Sequence, residues 1–237
     1  MKAAGTLAVL SLILNVAGFG QTDRRLRESV KTAHSLADVL ASAAVSGSLQ
    51  YKGNCGPGVL VPQLPTVLDP QNPYAPNAVD TLRYMFSVDP EIVVLQEQNR
   101  IIRIVEAGIQ TDILNIRIKH LSFNRISDPD EALGIVRDAP EVRSFLVTNR
   151  IGEPPWNGHP PLYLLPSANN SKRKNLSNPD MPSVSGELTD VRLADALDYI
   201  LKTFPGFWLY QDCKAPDGQR VVYFGLFPVP GKIWTWE

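Results

Sequence analysis

Polar and apolar positions follow two periods along this chain, and the changes of period mark its elements. After Ser35, a candidate N-cap, Leu36, Val39, Leu40 and Ala43 recur at helical spacing and predict a helix that Gly47 ends. "SLQYK" (48–52) then alternates like a strand. From Asn77, a second candidate cap, Val79, Leu82, Met85 and Phe86 form one helical face, and Pro90 stops it. "EIVVLQEQ" and "RIIRIVE" are β-branched runs around Asn99 and Arg100, a hairpin signal whose turn lacks Gly. Further on, Ile113, Ile116 and Ile118 suggest a strand; Asp128 caps a helix with Pro129 in its first position, and Pro140 is expected to break it. "VSGEL", "DVRLADALDYILKTF", "GFWLYQD" and "RVVYFGLF" read as strand, helix, strand, strand. Two stretches lack any period. Residues 53–77 hold six prolines and one expected short strand at "PTVL" (65–68), and the Pro/Asn/Ser-rich residues 153–183 read as a loop.

The pattern repeats. "AVDTLRYMFSVDPEIVVLQE" (78–97) returns as "LADALDYILKTFPGFWLYQD" (193–212). A shift of 115 residues, 195 minus 80, makes Asp80/Asp195, Leu82/Leu197, Tyr84/Tyr199, Pro90/Pro205 and Gln96/Gln211 identical. So long a period indicates a duplicated small domain rather than a solenoid. A helix with one apolar face must cover one face of a small sheet, and period-two strands supply that face. The expected fold is therefore α+β: two small modules, each with helices packed on a short mixed or antiparallel sheet. The boundaries are a charged lead-in at 21–34, a first module at 35–107, a second at 112–226, and an aromatic C-terminal tail at 227–237.

"VSGELTDVRLADALDYILKTFPGFWLYQD" resembles the short N-terminal domain shared by outer-membrane secretins and signal-transducing TonB-dependent receptors. The matching features are the strand "VSGEL", the helix positions Leu193, Ala196, Leu197, Ile200 and Leu201, and Gly206, Phe207 and Leu209 opening the next strand. In the first module, "SLADVLASAAVSGSLQYK" resembles the family's opening helix and strand, and residues 78–104 its closing helix and hairpin. The resemblance touches about half of the chain that follows the N-terminal leader. It implies a periplasmic interaction module with no catalytic residues to carry over. It also implies two diverged copies without the pore or barrel domain that follows in the family.

Export is read independently. "MKAAGTLAVLSLILNVAGFG" has one charge at Lys2, an apolar run from Leu7 to Val16, and small residues before Gln21, which is the layout of a secretory signal peptide spanning 1–20. No later segment is apolar enough to span a bilayer, so the mature chain is expected to be extracytoplasmic, periplasmic or secreted, and not membrane-spanning. Losing residues 1–20 leaves 22 basic and 24 acidic residues, a formal charge of about −2 with no footprint for nucleic acid. Export permits a disulfide between the only two cysteines, Cys55 and Cys213; the alternative is two free thiols.

No local motif carries chemistry. His34, His120 and His159 lack metal-ligand spacing, no serine sits in a GxSxG elbow, and neither a phosphate loop nor a dinucleotide fingerprint occurs. No catalytic residue, cofactor or metal is expected, and the chain reads as a non-enzymatic module that binds an envelope protein through sheet edges. Trp208, Trp234 and Trp236 are the candidate binding surface for the alternative, an extracytoplasmic glycan or small-ligand binder; burial of these tryptophans is the competing reading. Least supported is a hydrolase whose residues meet only in space.

Overall fold

The computed structural model describes residues 28–29, 31–54, 64–74, 76–97, 100–153, 182–215 and 217–229. Outside them lie the expected signal segment 1–20, Cys55, residues 154–181 with Trp156 and His159, and residues 230–237 of the tail with Trp234 and Trp236. The architecture is α+β, with five α-helices, a mixed five-stranded sheet and a two-stranded ribbon among the described residues. No helix among them is long and apolar enough to cross a membrane.

The first half begins with α1 (residues 31–42) and β1 (Ser46–Asn54), then α2 (Ala78–Met85), β2 (Ile92–Gln96) and β3 (Ile101–Glu106). Helix α1 starts before Ser35, which lies within it. The apolar stripe already includes Ala33, and Thr32 and Ser29 are buried beside it. Those two hydroxyls bond the following segment: Thr32 Oγ1 donates to the Pro65 carbonyl (3.0 Å), and the Leu64 amide donates to Ser29 Oγ (3.0 Å). Residues 65–68 accordingly form no strand. They are held by single bonds to a helix rather than by a ladder.

Helix α1 ends at Ala44, whose φ of 51° closes a Schellman motif, and not at Gly47. Gly47 lies in β1, where a Cβ would stand 2.9 Å from the Ile102 carbonyl oxygen, so the glycine permits close approach of backbones. Asn77 caps α2 as expected, accepting from the Asp80 amide. The β2–β3 turn solves its missing glycine with Arg100 at φ 62°.

The second half runs through a 3-10 turn (Ile113–Asn115), β4 (Arg117–Ile126), α3 (Pro129–Arg137), α4 (Pro140–Thr148), β5 (Val184–Arg192), α5 (Leu193–Thr203), β6 (Gly206–Lys214) and β7 (Arg220–Pro228). Asp128 caps α3 and Pro140 occupies the first turn of α4, so the proline separates two helices. β4 and β5 pair antiparallel as the ribbon.

Strands of both halves share the larger sheet, in the order β2-β3-β1-β6-β7. β1 lies at its centre, parallel to β3 on one side and to β6 on the other. Alternation sends β6 side chains to two cores. Phe207 and Leu209 join the cluster built by α1 and α2, while Trp208 and Tyr210 join the cluster built by α3, α4, α5 and the ribbon. A strand covered on both faces reads as a continuous apolar run, which is what "GFWLY" is.

Candidate functional site

Three regions concentrate the chemistry: a buried polar cluster where the halves meet, a charged network at the β6–β7 end, and the outer edge of the sheet at β2. The buried cluster centres on Asp198 of α5 and Arg103 of β3. Arg103 places two guanidinium nitrogens on the Asp198 carboxylate, one at 2.8 Å from Oδ1 and the other on Oδ2. Trp208 Nε1 donates to the same Oδ1 at 2.8 Å, and the guanidinium lies 5.3 Å from the Trp208 ring centroid. Glu97, about half exposed, closes the outer side at 3.2 Å from Arg103 Nε. Burial alone would lower the Arg103 pKa. Asp198 and Glu97 outweigh it and hold the guanidinium above its ordinary value. The guanidinium directs its N–H groups to Asp198, Glu97 and Ser48, so this cluster joins β3, β1, α5 and β6 within the fold.

A second network lies at the β6–β7 end. Arg220 bridges Asp212 (3.0 Å) and Asp112 (2.7 and 2.9 Å), and also donates to the Tyr210 hydroxyl at 3.1 Å. Its two acids respond oppositely. Bonding to Arg220 holds Asp112 below the usual carboxylate value, whereas burial pushes Asp212 above it despite the same partner. The difference follows depth, since the Asp112 side chain is 48% exposed and that of Asp212 only 10%.

Trp208 is fully buried and forms no binding surface. Its ring fills the second core and its only polar atom is bonded, so the candidate aromatic platform loses this member; Trp234 and Trp236 lie outside the described residues. Cys213, in β6 opposite Gly53 of β1, is disulfide-bonded, and Cys55 lies outside the described residues. His120 is exposed on β4 opposite Thr189, and His34 is half-buried in α1. Among the described residues no three of His, Cys, Asp and Glu gather as a metal-binding group.

The edge has a different character. β2 pairs only with β3 among the described residues, so its other side presents unpaired main-chain groups. Ile92 and Val94 turn inward to the α2 core. Val93 and Leu95 point to the opposite face, 47% and 51% exposed, beside their cross-strand partners Val105 and Arg103. The run "IVVL" showed a hairpin strand in the sequence, but neither its place at the edge of the sheet nor which of its faces would be left uncovered. Arg103 and Asp198 were missed, although Arg103, set among the isoleucines of "IIRIV", was a signal: a cation in an apolar strand demands a buried acid.

No family model matches this chain, nor does any curated protein or solved structure.

Proposed function

We propose that the chain is an exported, non-enzymatic protein-interaction module of the bacterial envelope, which binds another polypeptide by extending its five-stranded sheet at β2. The observation that carries this reading is the edge itself: a strand paired on one side only among the described residues, with two half-exposed aliphatic side chains, Val93 and Leu95, on its uncovered face. Strand addition draws affinity from main-chain hydrogen bonds and specificity from alternate side chains, and needs no catalytic motif. The signal-like residues 1–20 and the resemblance of residues 184–212 to the secretin and receptor N-terminal domain support the location and the role.

A photo-activated crosslinking residue at Leu95, with a control at exposed Glu187 on the ribbon, tests the reading in the native envelope. Products specific to position 95 are expected. Equal or absent crosslinking at both positions would refute an interaction through β2.

A further inference from the structure

We infer that the occupant of the β2 edge is a second copy of this chain, docked head to tail through the end of the molecule that carries α4 and Gly152. This rests on the reading of β2 as a binding edge and names what binds there.

The joint between the halves supplies the template. In the first half, α1 ends in a Schellman motif and leads into β1, which pairs in parallel with the second hairpin strand, β3. The second half repeats that plan 106 residues later, as 150 minus 44 gives. The Arg150 amide bonds to Val147 and the Ile151 amide to Leu146, as those of Ala44 and Val45 bond to Ala41 and Leu40. Arg150 has φ 53° where Ala44 has 51°. Gly152 then bridges Val221 of β7 in parallel, as β1 pairs with β3. The halves thus lie in series, the hairpin and third strand β2-β3-β1 followed by the hairpin β6-β7 with a single parallel bridge at Gly152.

Strand directions and helix faces both reverse between the halves. β6 is parallel to β3 although it is the first strand of its hairpin, and α5 packs against Trp208 and Tyr210, on the face opposite to α2. A half-turn combined with a translation along the sheet relates them. Such an operation does not close on itself, so the same joint can recur between molecules.

Within the chain, the third strand of the first half pairs with β6, and the α1–α2 core covers the β6 face turned away from α5, which holds Phe207 and Leu209. The corresponding face of β2, turned away from α2, holds Val93 and Leu95 and is uncovered. At the other end, Ala41 of α1 packs against the first core, whereas its counterpart Val147 on α4 is 78% exposed. Among the described residues no strand lies outside Gly152. Repeating the internal joint brings Val147 of one copy over Val93 and Leu95 of the next, so each exposed apolar end covers the other.

The test is light scattering and sedimentation of the purified exported protein over a concentration series. Wild type is expected to grow past the dimer as concentration rises. Val93→Glu and Val147→Glu, both at exposed positions, are each expected to stay monomeric with unchanged circular dichroism. An equimolar mixture of the two retains one intact end of each kind and is expected to give a dimer and nothing larger. A wild-type protein that stays monomeric at its highest soluble concentration would overturn the inference. So would a dimer blocked by Val93→Glu but not by Val147→Glu, which is symmetric β2–β2 pairing. Crosslinking at Leu95 to a different chain, with no self-association, would overturn the second copy while leaving the binding edge in place.

Discussion

Asp198 helps hold the halves together, because two groups from different strands, the Arg103 guanidinium and the Trp208 N–H, depend on its carboxylate. Asp198→Ala leaves the Arg103 guanidinium buried without its main counter-ion and the Trp208 N–H without an acceptor. A loss of about 3–5 kcal/mol in urea unfolding is expected. Replacing both charges, Arg103→Met with Asp198→Leu, should recover most of it, since the penalty comes from the stranded charge rather than from the absence of the pair. Asp112 predicts the acid limb. Its folded pKa lies below the ordinary 3.8, so its contribution is fully present above that value and is lost as pH falls through the lower, folded one. Urea midpoints should therefore drop below about pH 4, and Asp112→Asn should flatten that drop. Asp212 has the opposite sign: its raised pKa makes stability decline as pH rises from about 4 through the folded value.

At the scale of elements, two glycines with opposite surroundings make a paired test. At Gly206, which opens β6 with φ 157°, a Cβ would stand 2.1 Å from the Phe227 carbonyl oxygen. Gly206→Ala should cost about 2–4 kcal/mol. Gly134 lies inside α3 with nothing within 4 Å of the added Cβ, so Gly134→Ala should stabilise by roughly 0.5–1 kcal/mol; thermal melts compare the two. The caps Asn77 and Asp128 and the break at Pro140 were legible in the sequence because each acts within one helical turn. The end of α1 was not. Ala44 adopts the left-handed conformation that Gly47 seemed to announce, since Gly47 is needed beside Ile102. The ungapped 115-residue frame also slips by one between helix and strand. Leu82 and Leu197 fit it, whereas the strand residues facing the helices, Ile92 and Trp208, are 116 apart, and one residue reverses the faces of a strand.

For the whole molecule, Cys213 stands where β6 runs beside the end of β1, and the chain's other cysteine directly follows that strand. A bridge from Cys213 to Cys55 would span 158 positions, 213 minus 55, and tie the two halves at the joint that Arg103 and Asp198 hold from within. Alkylation of the folded protein should find no free thiol. Reduction should lower unfolding stability by about 2–5 kcal/mol without dissociating a covalent dimer on a denaturing gel. At the far end of the same sheet, β2 pairs with β3 alone among the described residues, which leaves its outer edge open.

The α+β class, most of the helices and strands, and the caps and proline breaks were legible along the chain, because each is set by neighbours a few residues apart. Tertiary structure decided the rest. Period two marks both faces of a strand equally, so no local pattern could say that Trp208 would be buried against Asp198 while Val93 and Leu95 stayed exposed. Nor could it say that β1 would pair with β6, since partners such as Gly47 and Phe207 lie 160 positions apart, 207 minus 47.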